Sequence, residues 1–225
     1  MPAADNIVEL RRLLTERFPH LRQGVAEAPP IATWATGTPA LDALLEGGLP
    51  RGEFTELIGV GDGSGAAQVI HAALRQTAAD GQFLALVDGA DSFDASAVEP
   101  DVLAHLLWVR CAQADEALKA TDLLLRDRNC PLLILDLKLN PPAQLRKISA
   151  SAWYRYARLL EQNGTTALVI TPFQFVSGAA CRVRVESRLG LHTLAAPPAQ
   201  ALADLRFTLL RSAAATARQR NAAAG

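Results

Sequence analysis

Cysteine, histidine, aromatic residues and net charge are all scarce in this chain of 225 residues. The three cysteines contain no C-x-x-C pair, which argues against a disulfide framework and is typical of a reducing compartment; they are Cys111, Cys130 and Cys181. The four histidines are far apart in the sequence, so we expect no metal site. A formal net charge of −1 argues against a broadly basic nucleic-acid binder.

Long apolar runs are missing as well. No stretch approaches the roughly 18 apolar residues of a membrane-spanning helix, and the N-terminus has no apolar segment of the signal-peptide type. We therefore expect a cytoplasmic protein that contacts no membrane. Hydrophobic residues still make up 50% of the chain, which is ample for the core of one domain of ordinary size.

The order of the apolar segments predicts an α/β fold. Short continuous apolar runs, typical of strands covered on both faces, alternate with helix-like segments. The predicted strands are Phe54–Ile58, Phe83–Val87, Leu106–Val109, Leu132–Leu135 and Thr166–Thr171. The main predicted helices are Ala66–Ala79, Val98–Leu103, Ala114–Arg126 and Ala150–Gln162. This alternation predicts a twisted, mainly parallel sheet flanked by helices.

The two ends of the chain differ from its middle. Apolar residues at helical spacing predict an N-terminal helix over Asn6–Phe18, and a linker with two prolines follows, so we assign 1–30 to a helix and linker. Charged and apolar residues alternate over Cys181–Leu191, and Leu205–Leu210 is apolar, which together predict antiparallel C-terminal strands. We assign 31–211 to the core and 212–225 to a flexible tail rich in alanine and arginine.

A glycine-rich segment joins the first strand of the core to its helix. A working phosphate-binding loop reads G-x-x-x-x-G-K-S/T in this setting; its lysine reaches the β/γ-phosphates and its hydroxyl binds Mg²⁺. Here five residues separate Gly59 from Gly65, one too many, and Ala66 and Ala67 follow. The backbone can still present N–H groups to an anion, but the loop has no cation and Asp62 adds a negative charge.

Two carboxylates end strands of the same sheet. Asp136 closes a Leu-Leu-Ile-Leu-Asp run of the Walker B form, and Asp88 ends the preceding strand. Such an acid lies beside the phosphate loop and can help to hold Mg²⁺. Without a loop hydroxyl, we expect Asp136 to hydrogen-bond the neighbouring loop instead, and Asp88, Asp91 and Asp94 to cap a turn.

The sequence therefore predicts a vestigial nucleotide site with no catalytic residue and no resident cofactor, the alternative being a site for ATP and Mg²⁺. The residues of this vestigial site are Gly59, Gly61, Gly63, Ser64, Gly65 and Asp136.

In this order the motifs resemble the core of the RecA/RadA recombinases. The specific part is Gly-Gly-Leu-Pro-Arg-Gly at 47–52, joined to a strand and the altered loop. Further matching words are Thr36-Gly37, Leu41-Asp42, Glu56–Gly59, Val87-Asp88, Glu116-Ala117-Leu118 and Leu135-Asp136. The resemblance covers about 33–191, is looser after Leu139, and implies a RecA-like fold.

Departures from the family pattern are equally informative. The P-loop lysine and threonine fall at or beside Gly65, Ala66 and Ala67, the place of the catalytic glutamate reads Gly89-Ala90-Asp91, and the nucleotide-sensing glutamine falls near Pro172. The resemblance thus implies a protein that has lost catalysis. Compact, degenerate RecA-like proteins of this type are similar to the ImuA family, also labelled SulA-like. That likeness implies an accessory role in the SOS response and translesion synthesis, beside an ImuB-like inactive Y-family polymerase homologue and an error-prone polymerase, with RecA as a further partner.

Two other functions stay open. One is an active, DNA-dependent recombinase-like ATPase with an unusual loop; the other is a cell-division inhibitor, suggested only by the alternative family label. Five basic residues are candidates for contact with DNA or a protein partner, with plain solvated charge as the alternative for each. They are Arg146 and Lys147 in a shortened loop, and Arg182, Arg184 and Arg188 along one face of a strand.

Overall fold

The computed structural model describes residues 32–187 and 198–212. The predicted N-terminal helix, Arg188 and the tail beyond residue 212 lie outside these ranges. The described chain forms a seven-stranded sheet and a separate two-stranded sheet. No helix within the described ranges has the length and apolar character needed to cross a bilayer.

The strands are β1 Thr33–Trp34, β2 Leu49–Pro50, β3 Phe54–Gly59, β4 Leu84–Asp88, β5 Leu106–Arg110, β6 Leu132–Asp136, β7 Thr166–Thr171, β8 Cys181–Ser187 and β9 Leu205–Ser212. The helices are α1 Pro39–Leu44, α2 Ala66–Ala79, α3 Pro100–Leu103, α4 Ala114–Asp127, α5 Pro142–Leu145, α6 Ala150–Asn163 and α7 Pro198–Ala203. A one-turn 3₁₀ helix lies at Ala95–Ala97.

The large sheet has the order β5-β4-β6-β7-β3-β8-β9. All neighbouring strands run parallel except β8 and β9, which pair antiparallel. The predicted mainly parallel α/β sheet with an antiparallel C-terminal part is therefore confirmed. One detail differs, because β8 also pairs with β3 in parallel, so only its β9 side is antiparallel. Strand β9 also takes in Ser212, the first residue of the predicted tail.

Alternate side chains of the central strands pack into two separate hydrophobic cores, one on each face of the sheet. On β4, Leu84 and Leu86 pack with α2, whereas Ala85 and Val87 pack with α4 and α6. Every residue of β3, β4 and β7 is buried. Continuous apolar runs are what a parallel sheet covered on both faces requires, which is why these strands could be recognised in the sequence.

Helix α6 shows how helical spacing selects buried side chains. Trp153, Tyr156 and Leu160 share one face and are buried against the sheet. The helix ends at Gly164, whose left-handed backbone (φ 68°) suits glycine. Core packing, the expectation for all three aromatics of this helix, is confirmed for Trp153 and Tyr156. It is wrong for Tyr154, which is 61% exposed because it lies on the opposite face.

Candidate phosphate-loop site

The loop between β3 and α2 is shaped by three glycines. Gly61, Gly63 and Gly65 have φ values of 72°, 66° and 93°, a region that other residues rarely adopt. Gly65 is the N-cap of α2 and no side chain caps this helix end. The first N–H groups of a helix have no carbonyl partner within it. They therefore remain able to bind an anion at this loop.

Ser64 turns its side chain into the loop. The residue is only 4% exposed, and its hydroxyl has no hydrogen-bond partner in the described part of the chain. A Cβ placed on Gly59 would lie 2.5 Å from the Ser64 Oγ, so a larger residue at the end of β3 would have to displace the Ser64 hydroxyl. A buried hydroxyl without a partner costs free energy, and a bound ligand could relieve that cost.

Lys138 places a cation beside this loop, which the sequence analysis missed. A Cβ on Gly59 would lie 3.1 Å from Lys138 Cε, so the lysine stem packs against the start of the loop. No described carboxylate comes within ion-pair distance of the Lys138 ammonium. The expectation that the loop has no cation is therefore wrong. The position of Lys138 could have predicted this contact. Lys138 follows β6, the loop follows β3, and the carboxyl ends of parallel strands lie at the same edge of a sheet.

Asp136, at the end of β6, bonds to its own loop. Its Oδ1 accepts the Lys138 N–H at 3.0 Å, as the sequence analysis expected. Burial, helped by the nearby Asp88 carboxylate, raises the pKa of this carboxyl to about 6 against the opposing effects of the Lys138 N–H and ammonium.

The other carboxylates of this edge are already bonded. Asp88 accepts the N–H groups of Ser92 and Phe93, both at 2.8 Å. Asp94 caps the 3₁₀ helix by accepting the Ser96 N–H at 2.9 Å. The predicted turn caps are thus confirmed for both residues. Asp91 differs, because its carboxylate forms a bidentate ion pair with Arg110 on β5, at 2.6 and 2.8 Å.

Comparison with curated proteins finds distant similarity to RecA proteins. RecA of Mycolicibacterium gilvum (strain PYR-GCK) is 29% identical over 170 residues, which are 67% of this chain and 47% of that protein. RecA of Streptomyces venezuelae is 29% identical over 168 residues, 67% of this chain and 44% of that protein. The chain has a RecA-like fold. It spans about half the length of the curated relatives it matches, and no protein-family model matches it.

One of the predicted contact residues of this RecA-like chain is buried. Arg182, 7% exposed, forms an ion pair with the fully buried Glu56 on β3, its direct neighbour in the sheet register. The prediction that Arg182 belongs to an exposed basic stripe is wrong, because it is the counter-ion of a core carboxylate. Arg184 is exposed, and Arg188 lies outside the described residues.

The same ion pair holds the loop between β7 and β8. Glu56 accepts the N–H groups of Phe175 and Val176 at 2.8 and 3.1 Å. Arg182 donates to the Val176 carbonyl at 2.8 Å. We call these contacts the Glu56–Arg182 clamp. The clamp fixes the segment in which the nucleotide-sensing glutamine was expected, and the nearby Gln174 is exposed.

Arg146 and Lys147 contact different parts of the RecA-like surface. The Arg146 guanidinium lies 6.0 Å from the centre of the Phe173 ring. Lys147 lines a groove of about 520 Å³ between α4 and α6. We call it the α4/α6 groove; its apolar lining includes Leu118, Leu123, Ile148 and Ala152.

No cluster of metal-ligating side chains occurs within 32–187 and 198–212. The carboxylates Asp88 and Asp136 lie side by side in register, but only two carboxylates meet there.

The raised pKa of Asp136 predicts a pH-dependent stability. Between its ordinary pKa of 3.8 and its folded pKa of about 6, the folded chain binds a proton that the unfolded chain has released, so stability falls as pH rises. We expect Asp136→Asn to raise the free energy of unfolding by about 1–2 kcal/mol near pH 8. Near pH 4 the gain should vanish. Urea unfolding at both pH values measures this, and an equal gain at both would contradict it.

Proposed function

We propose that this protein is a non-catalytic, RecA-like accessory factor in the DNA damage response that acts by binding other proteins. One observation supports the proposal. At the positions where a RecA-like ATPase binds Mg²⁺ and orients the attacking water, this chain has residues that cannot perform these roles. The first helical residues after the loop are Ala66 and Ala67, which supply no hydroxyl for Mg²⁺. The carboxylate that follows β4, Asp91, is bonded to Arg110.

Phosphoryl transfer depends on positioning and on neutralising the charge of the transferred group. Loss of both the metal-binding hydroxyl and the water-orienting carboxylate removes two of the required parts at once. The fold does not require these catalytic groups, because packing of the hydrophobic core stabilises it. A fold of this kind is suited to binding other proteins through the surfaces left free.

The first test is ATP turnover. We expect the purified chain to release no phosphate above the blank with ATP and Mg²⁺, with or without single-stranded DNA, and Asp136→Asn to behave identically. Turnover that Asp136→Asn stops would instead establish an active RecA-like ATPase. The Asp136→Asn variant keeps the acceptor for the Lys138 N–H, so it separates metal binding from loop geometry.

The α4/α6 groove is the surface we assign to the protein partner. Leu123 is 68% exposed at this groove, which makes it the most exposed large apolar side chain that the structure describes. Three basic residues also line the groove, and two of them form ion pairs with acidic residues of the same lining: Lys119 with Asp115, and Arg155 with Asp122. The likeness to ImuA-type proteins makes the expected partners an ImuB-like protein and an error-prone polymerase, with RecA or DNA as further contacts.

The partner assignment is tested by affinity capture from cells exposed to DNA damage. We expect the tagged chain to recover translesion polymerase components and Leu123→Asp to lose them. Leu210→Asp, which changes another exposed leucine on β9, is the matched control and should retain them. Recovery of a cell-division protein alone would favour the inhibitor function.

A further inference from the structure

Strand β9 leaves one side of its backbone without a strand partner in the described part of the chain. It is the last strand of the large sheet and pairs only with β8. It spans Leu205–Ser212 and contains no proline or glycine that would interrupt pairing. Such an edge presents a row of N–H and C=O groups to which another strand can add.

The regular part of this edge is Leu205–Leu209. The register between β8 and β9 is continuous there, and it shifts between Arg182 and Val183, where Leu210 is the extra residue of a β-bulge. A bulge disrupts the ladder and bends the strand locally. Leu210 therefore lies outside the segment that a further strand would extend.

The two faces of this segment differ in chemistry. Leu205 is buried, Phe207 is partly buried against the same core, and Leu209 is 36% exposed, so a row of apolar side chains ends at the edge. Arg206 and Thr208 alternate with them and are exposed, so they lie on the opposite face. An added strand would continue both rows, one apolar and one polar.

The polar face carries an excess of positive charge. Arg184 on β8 lies opposite Thr208 in the register. Glu186 lies opposite Arg206, so these residues share the polar face. With Arg211 near the end of β9, the exposed charged residues of the two strands are three arginines and one glutamate. None of these arginines forms an ion pair with a residue that the structure describes.

This charge indicates which kind of strand fits the edge. A second copy of β9 would bring its own arginines close to the first set, and like charges on neighbouring strands repel. The adjoining segments 188–197 and 213–225 contain no acidic residue that could balance the arginines. A strand with acidic side chains on one face would be attracted to them, and apolar side chains on its other face would cover Leu209.

We propose that β9 binds, by strand addition at Leu205–Leu209, an extended segment of a protein partner in which acidic and apolar residues alternate. Backbone hydrogen bonds supply the affinity, and the arginines select the acidic sequence. This edge shares no residue with the α4/α6 groove, so the inference goes beyond the accessory function proposed above. The groove is tested through Leu123 in cells and the edge with purified protein, so either can fail alone.

The experiment is a fluorescence anisotropy titration of the full chain with a labelled synthetic peptide of alternating glutamate and valine. We expect this acidic peptide to bind, with an affinity that falls as the salt concentration rises. Lysine in place of glutamate should abolish binding. N-methylation of every backbone amide should also abolish it, because the methylated peptide keeps the side chains but has no N–H donors.

Arg206→Glu should weaken binding of the acidic peptide about tenfold or more and give the lysine peptide a measurable affinity. Arg206→Ala should weaken binding by a smaller factor, and it provides the comparison if the charge reversal prevents folding. Arg158→Glu is the matched control, because it makes the same reversal at an exposed position of α6. Its affinity should equal that of the unaltered chain, and thermal melts verify that each variant is folded.

Three results would overturn the proposal: no binding of the acidic peptide at millimolar concentration, equal binding of its N-methylated form, or unchanged binding by both Arg206 variants. Two others would assign the edge to a different occupant and also refute it. One is tighter binding of single-stranded DNA, lost in Arg206→Glu, which would assign the arginines to phosphates. The other is a dimer of the chain that the acidic peptide dissociates, which would assign the edge to a second copy.

Discussion

Glu56→Ala is expected to lower the free energy of unfolding by about 3–5 kcal/mol, the usual cost of removing one partner of a buried ion pair. The variant leaves the Arg182 guanidinium in the core without its carboxylate. It also removes the acceptor for the N–H groups of Phe175 and Val176. Both effects act in the folded state only, so they add to the loss. Urea unfolding followed by tryptophan fluorescence measures it.

Arg184→Ala is the matched control for this prediction. It removes an arginine from β8, two residues after the clamp residue Arg182, but from an exposed position, so a change within about 0.5 kcal/mol is expected. If Glu56→Ala cost as little as Arg184→Ala, the clamp would be an incidental contact. Should Glu56→Ala prove insoluble, the milder Glu56→Gln, which keeps acceptor and shape, provides the measurable comparison.

Trp153→Ala has the second large expected effect, a loss of about 3–5 kcal/mol. Trp153 is 1% exposed and makes edge-to-face contacts with Phe54, Tyr156 and Phe175, at ring-centre distances of 5.8, 6.1 and 5.8 Å. The truncation opens a cavity between α6 and the sheet that these rings cannot refill. The measurement is again equilibrium unfolding, here followed by far-UV circular dichroism because one of the three tryptophan fluorophores is lost.

Tyr154→Ala is the neighbouring control. The two residues are adjacent in α6 but face opposite ways, so Tyr154→Ala should change stability by less than about 0.5 kcal/mol. A large loss in the control, or a loss below about 1 kcal/mol for Trp153→Ala, would contradict the assignment of the core face of α6.

Much of the fold could be predicted because burial on both faces leaves a plain pattern in the sequence. The strands β4, β6 and β7 are largely apolar, β3 is apolar apart from Thr55 and Glu56, and helices of ordinary length separate these strands. The turn after β4 was also predictable, since Asp88 and Asp94 are residues that cap backbone N–H groups locally. Local rules suffice for such features because their partners lie within a few residues.

The rest depends on contacts between distant segments. Arg182 and Arg184 look equivalent in an alternating strand, and only the register beside Glu56 distinguishes the buried one from the exposed one. Lys138 is 79 residues from Gly59 along the chain, so no motif at the loop could contain it. The periodicity of a sequence predicts on which face of a strand or helix a residue lies. It does not predict which charged residue from a distant part of the chain will contact that residue.

The Glu56–Arg182 clamp has a mechanical consequence. Glu56 stands three residues before Gly59 on β3, and it is tied to the segment that follows β7. These two stretches of chain must therefore shift together or not at all. A relative movement of the two segments would have to break the buried ion pair and its hydrogen bonds, so the clamp makes this end of the sheet rigid.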